Sequence, residues 1–167
     1  IGAKGLAVTI ESAGFEAGFY GLQDDPGLPR LERLLREAPQ TIVIGHGPGF
    51  WAEISEQVSA ADKWAYPSGP IVGQGAAWRL LLTCPNLYAD LSAGSGYNAI
   101  TRDPAVGVRF LNECSHKLLF GTDTCFADAA CRTPHQAYLH TLLAGGQLTQ
   151  AAFDSIMAGN AIRLLGI

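Results

Sequence analysis

Three hydrophobic stretches of this chain each lead to a residue that can bind metal or move a proton. Leu6-Ala7-Val8-Thr9-Ile10 leads to Glu11, Thr41-Ile42-Val43-Ile44-Gly45 to His46, and Leu118-Leu119-Phe120-Gly121-Thr122 to Asp123. Short apolar runs with polar or glycine boundaries read as buried strands. Near-continuous hydrophobicity, without alternation, is the mark of strands in a parallel sheet. In parallel α/β architectures the C-terminal strand edge is where ligands bind and chemistry occurs. Glu, His and Asp together are good ligands for a divalent metal.

The rest of the chain fits that frame. Leu6–Glu11 is the first strand, followed by a glycine-rich, aromatic loop over Ser12–Gly27. Leu28, Leu31, Leu34 and Leu35 share one helical face, so 28–38 is a helix stopped by Pro39. Strand 41–46 follows, then a mixed loop over Gly47–Gly75 with a short helix near Ala52–Gln57. The spacing predicts a helix over Ala76–Thr83, a strand over Leu87–Leu91, and a small-residue loop over Ser92–Gly96. Asp103-Pro104 is a helix start, with Asp at the cap and Pro in the first turn. That helix runs to about Cys114, and Lys117–Gly121 is the fourth strand. Helical segments over 134–144, 149–158 and 160–165 close the chain, with Thr149 and Asn160 as N-caps. The βα rhythm is that of repeated βαβ units. A complete (β/α)8 barrel needs about 250 residues, so 167 residues hold either half of one or a small open sheet.

Composition removes several function classes. Hydrophobic residues make up 48% of the chain and charged residues 16%, a globular balance with a real core. The net charge of −4, without a basic cluster, argues against nucleic acid or an anionic membrane as partner. No apolar run approaches a membrane span. Cys84, Cys114, Cys125 and Cys131 form neither a C-x-x-C pair nor a disulfide framework, which suggests reduced thiols in the cytoplasm. The chain opens at Ile1 almost directly on a strand, and we expect an amino-terminal part of a longer protein to precede it. Gly45-His46-Gly47-Pro48-Gly49 lacks dinucleotide-fingerprint spacing, and Gly94-Ser95-Gly96 is not a nucleophile elbow.

Four segments, taken in order, resemble a known family. Ile44-Gly45-His46-Gly47-Pro48-Gly49-Phe50-Trp51-Ala52-Glu53-Ile54 is similar to the sixth-strand region of the amidohydrolase-related family, in the branch that includes aminocarboxymuconate-semialdehyde decarboxylase. Asn86-Leu87-Tyr88-Ala89-Asp90-Leu91-Ser92 resembles its seventh strand, Leu119-Phe120-Gly121-Thr122-Asp123 its eighth, and Asn160-Ala161-Ile162-Arg163-Leu164-Leu165 its closing helix. The resemblance implies that 1–167 is an α/β domain, the carboxyl-terminal half of a (β/α)8 TIM barrel. It would hold four βα units plus terminal helices and lack the first four units. It further implies a metal-dependent hydrolase or a non-oxidative decarboxylase with its metal at the C-terminal mouth of the barrel. His46 matches the sixth-strand histidine and Asp123 the eighth-strand aspartate, while Glu11 stands where the family has a fifth-strand histidine. The family's first-strand H-x-H motif does not occur in this sequence.

These readings give a set of expectations. Asp123, Glu11 and His46 hold a divalent ion, Zn, Mn or Mg, with the glutamate favouring the harder metals. Asp123 takes a proton from an activated water and His46 orients it or stabilises a developing oxyanion. The alternative for Asp123 is a cap, for His46 a core histidine, and for Glu11 a salt bridge with Arg30 or Arg33. Asp90 makes a structural hydrogen bond to loop amides. Trp51, Phe50, Trp64 and Tyr97 sit on loops over the mouth, and Trp51, Phe50 and His135 touch a small-molecule substrate. The function is hydrolysis of a C–N or C–O bond; the alternatives are decarboxylation of a small carboxylic acid, or an inactive half-barrel. Unpaired edges at Leu6–Glu11 and Lys117–Gly121 lead us to expect a homo-oligomer or a missing amino-terminal half as partner.

Overall fold

The computed structural model describes residues 8–13, 22–124 and 134–166, with the backbone alone at 8–13 and at Trp64. Five parallel strands form one sheet: β1 (Val8–Ala13), β2 (Leu22–Gln23), β3 (Val43–His46), β4 (Leu87–Asp90) and β5 (Leu118–Leu119). Their order is β2-β1-β3-β4-β5. Apart from the two-residue β2, each strand lies beside its successor in the chain. The four strands β1, β3, β4 and β5 thus follow chain order in one direction, and the two-residue β2 on the far side of β1 puts the one reversal of order between β1 and β3. The register places Glu11 opposite His46 and Gly45 opposite Ala89.

The strands alternate in burial instead of being buried throughout. Val43, Gly45, Leu87 and Ala89 are buried, whereas Ile44, His46, Tyr88 and Asp90 are half-buried. One face packs on helices α1 (Pro29–Glu37), α3 (Ala76–Thr83) and α5 (Pro104–Glu113) through residues such as Leu31, Leu35, Trp78, Leu81 and Phe110. Period-2 alternation puts His46 and Asp90 together on the other face.

The expected helices over 76–83 and 134–144 are present with those bounds, as α3 and α6 (Pro134–Ala144). The short helix expected over 52–57 lies earlier, as α2 (Pro48–Trp51) and a 3₁₀ turn over Ala52–Ile54. The loop expected at Ser92–Gly96 is instead the first turn of α4 (Ala93–Thr101). Its glycines are spacers here: a Cβ on Gly94 would stand 2.7 Å from the Tyr66 ring, and one on Gly96 would strike the Leu91 carbonyl. Helix α1 is capped at a distance, since the buried Asp24 carboxylate accepts from the amides of Arg30 (3.0 Å) and Leu31 (2.8 Å). Asp103 and Thr149 cap α5 and α7 (Gln150–Asp154), as their positions predict. No described helix is long and apolar enough to cross a membrane.

Asn160 corrects an expectation. It does not cap a helix, because α7, a π-helical turn (Ser155–Gly159) and α8 (Asn160–Leu165) follow without a break. Its fully buried amide donates to the carbonyls of Ser115 and Leu118, both at 2.7 Å. The Phe120 amide donates to the Ile156 carbonyl at 2.9 Å. The outer edge of β5, expected to be unpaired, is therefore closed by the chain's own terminal helix. At the other side β2 pairs only with Ser12 and Ala13 of β1. Asn160→Ala removes both bonds and strands buried carbonyls, so it will lower unfolding free energy by about 2 kcal/mol. A urea melt checks this; an unchanged midpoint would mean that the contact carries no stability.

Candidate functional site

His46 ends β3 and Asp90 ends β4, on the same half-buried face. The imidazole Nδ1 lies 2.9 Å and 3.2 Å from the two Asp90 carboxylate oxygens. The carboxylate also accepts from the Ser92 amide (3.1 Å) and from the Ser92 hydroxyl, which itself stands 3.3 Å from Nδ1. Behind it, the Trp51 indole donates to the Asp90 carbonyl at 3.1 Å. A carboxylate on Nδ1 selects the tautomer with the proton there and the lone pair on Nε2. The ring is thus pre-oriented as a base, a hydrogen-bond partner or a metal ligand through Nε2. Asp90 holds a loop amide as expected, and it also holds His46, which the sequence reading missed. The missed signal was phase: both residues are the last of four-residue strands with the same buried and half-buried alternation.

The other expected site residues are placed differently. Glu11 holds the register position beside His46 on β1; its side chain, like that of Trp64, lies outside the described residues, as does Cys125. Asp123 is exposed and lies four residues past the end of β5, with φ of 52°. Asp is among the few residue types that enter this left-handed region readily. Among the described residues no three His, Cys, Asp or Glu side chains gather as a metal cluster.

Phe50 and Trp51 are not loop aromatics over a mouth. They lie on α2, 0% and 2% exposed, and stack edge-on with one another at 5.2 Å. Trp51 continues to Phe110 at 6.0 Å, and Phe110 to Trp78 at 5.1 Å. Rings of this size gain much from core burial, and in this structure both belong to the core. Gly45 admits the Phe50 ring, which would lie 2.5 Å from an added Cβ.

His135 is likewise buried, 3% exposed, and sits in the first turn of α6 and not in a loop. Its Nε2 lies 2.9 Å from the Ala93 carbonyl, the Tyr97 ring packs edge-on at 5.1 Å, and Nδ1 has no partner among the described residues. The geometry suits a neutral ring donating from Nε2, and burial lowers its pKa from the ordinary 6.5. The unfolded chain then binds the proton more readily than the folded one. Stability is fully present above pH 6.5 and falls as pH drops below it. His135→Phe will flatten that loss between pH 7 and 5 in thermal melts; an unchanged slope would assign the loss to other groups.

Cys84 and Cys114 are free thiols, and burial pushes Cys114 up to about 12. It is inert packing at neutral pH.

A sequence model of a family described as amidohydrolase matches residues 23–167, the greater part of the chain. No curated protein and no solved structure matches it significantly.

Proposed function

This chain belongs to the amidohydrolase family, and on that premise we propose that it is the carboxyl-terminal half of a (β/α)8 barrel whose strand tips carry a metal-dependent hydrolase site. The chain order of β1, β3, β4 and β5 supports the barrel reading, in which the terminal helix would have to withdraw from the β5 edge for a preceding strand to pair there. The observation that carries the site is the His46–Asp90 contact at 2.9 Å on the C-terminal strand edge.

His46, Glu11 and Asp123 are the groups proposed to hold a divalent ion. One imidazole and two carboxylates are a suitable donor set, Glu11 is level with His46, and a ligating histidine ordinarily has a carboxylate on its other nitrogen, as His46 has in Asp90. When bound, such an ion supplies Lewis acidity and a water that ionises near neutral pH. The chain's own part is to hold and move protons. Asp90 fixes the His46 ring with its proton on Nδ1, so Nε2 can accept a proton or steady a developing oxyanion. Ser92 holds the Asp90 carboxylate through both its amide and its hydroxyl. Asp123 is the proposed acceptor of the water's proton.

Elemental analysis tests this on the chain and on a form extended upstream in its reading frame. One divalent ion per extended chain, lost in Asp123→Ala and His46→Ala, is expected. If neither form binds metal, the metal-dependent reading falls. Product analysis then distinguishes hydrolysis from decarboxylation, since only the latter releases carbon dioxide.

A further inference from the structure

A cavity lies between the segment that follows α2 and the end of α4. Its volume is about 280 Å³, and Ser55, Gln57, Asp62, Ser68, Gly69 and Arg102 are among its lining residues. Arg102 is partly buried and immediately follows α4. Among the described residues its guanidinium makes one long bond, from a terminal nitrogen to the Pro67 carbonyl at 3.4 Å, and its Nε is buried without a partner, which leaves the terminal nitrogens as the donors a ligand would meet. Among the described residues no carboxylate forms an ion pair with it. The charges of Asp62 and Asp103 favour the guanidinium from nearby, but the hydrogen bonds of both acids go elsewhere. Asp62 accepts from the amide and hydroxyl of Ser59, both at 2.7 Å, and Asp103 accepts from Ile71 (3.2 Å) and Val106 (3.4 Å).

A guanidinium withdrawn from water with donors unfilled is costly unless an acceptor meets it. Burial acts against the charge, pulling the Arg102 pKa below its ordinary value, yet arginine stays protonated in proteins. A planar carboxylate is the natural complement of its fork. The size of the cavity suits a ligand of few heavy atoms. Asp62 on the wall, kept ionised by its Ser59 hydrogen bonds, disfavours a doubly charged phosphate.

We propose that this cavity is a binding site for a small monocarboxylate, held by the Arg102 guanidinium and bounded by Asp62 and Gly69. It stands on its own geometry and does not depend on the hydrolase reading.

The test is a titration followed by arginine side-chain nitrogen–proton NMR, with sodium propionate added at constant ionic strength against chloride. The Arg102 Nε–H signal, identified by its loss in Arg102→Lys, is expected to shift saturably with propionate, not with chloride, and more weakly with phosphate. Arg102→Lys, followed by calorimetry, should weaken propionate binding about tenfold, since an ammonium cannot make the paired contact. Asp62→Asn keeps an oxygen to accept from Ser59 but removes the negative charge from the cavity wall. It should keep the melting temperature and tighten propionate binding by about threefold or more, and it decides the matter even if the lysine variant fails to fold. A signal that never saturates, an equal response to chloride or phosphate, or propionate binding unchanged in Asp62→Asn would overturn the proposal and leave Arg102 as a structural cation.

Discussion

Lys63→Met will lower the unfolding free energy by about 3–5 kcal/mol, the cost of leaving one partner of a buried ion pair alone. The Lys63 ammonium is 2.7 Å from the Glu53 carboxylate, with side chains only 1% and 3% exposed. The same carboxylate accepts from the Gly27 amide, with both oxygens at 3.1 Å. The pair therefore ties together the turn before α1, the 3₁₀ turn after α2 and the segment that carries Lys63. Removing the cation leaves a carboxylate buried with one neutral donor. Methionine matches the lysine stem, so the loss reports charge and not volume. Glu53→Leu combined with Lys63→Met should recover most of it, because neither charge then remains. Urea unfolding of the two variants checks both statements. A single-variant loss below about 1 kcal/mol would show that water reaches the site and the pair behaves like a surface one.

Asp90→Asn is expected to lower turnover of any substrate by about 10- to 100-fold, the usual effect of removing the group that orients an active histidine. The amide has lost the charge, and one of its two former acceptor atoms is now a donor. It cannot serve His46 and both Ser92 donors as the carboxylate does. Imidazole nitrogen NMR supplies a readout that a merely structural role would not move: the His46 proton should leave Nδ1 in part, whatever the effect on stability. Turnover within twofold of the parent, with the tautomer changed, would remove His46 from the chemistry.

Much of the scaffold was legible because it rests on local chemistry. The α3 and α6 helices declare themselves by apolar spacing, α5 by Asp103-Pro104, and the strands by short apolar runs. What was not legible depends on partners distant in sequence. Asn160 has the look of a cap, yet it serves carbonyls 42 and 45 residues away. Asp24 caps α1 from outside the usual position, because Leu28 enters the helix in the left-handed conformation, φ 54°. Gly94 and Gly96 resemble loop residues until the ring and carbonyl that press on them are known. The same limit applied to the site. His46 was recognisable by its strand-end position, whereas the Asp90 contact depends on the register between β3 and β4. Phe50 and Trp51 were read as pocket walls because their segment resembled a loop. Once α2 forms, both rings turn inward.

The closure of β5 by Asn160 and Ile156 has a consequence for symmetry. At Leu118 and Phe120 that edge is taken up by the chain itself, so among the described strands edge-to-edge association is left to the side of β1 and the short β2. Two identical β1 edges related by a twofold axis run antiparallel, whereas every pairing inside the chain is parallel. Two copies cannot then complete an eight-stranded parallel ring by edge pairing alone. Such a ring would first require the terminal helix to withdraw from β5, exposing the carbonyl that Asn160 now occupies.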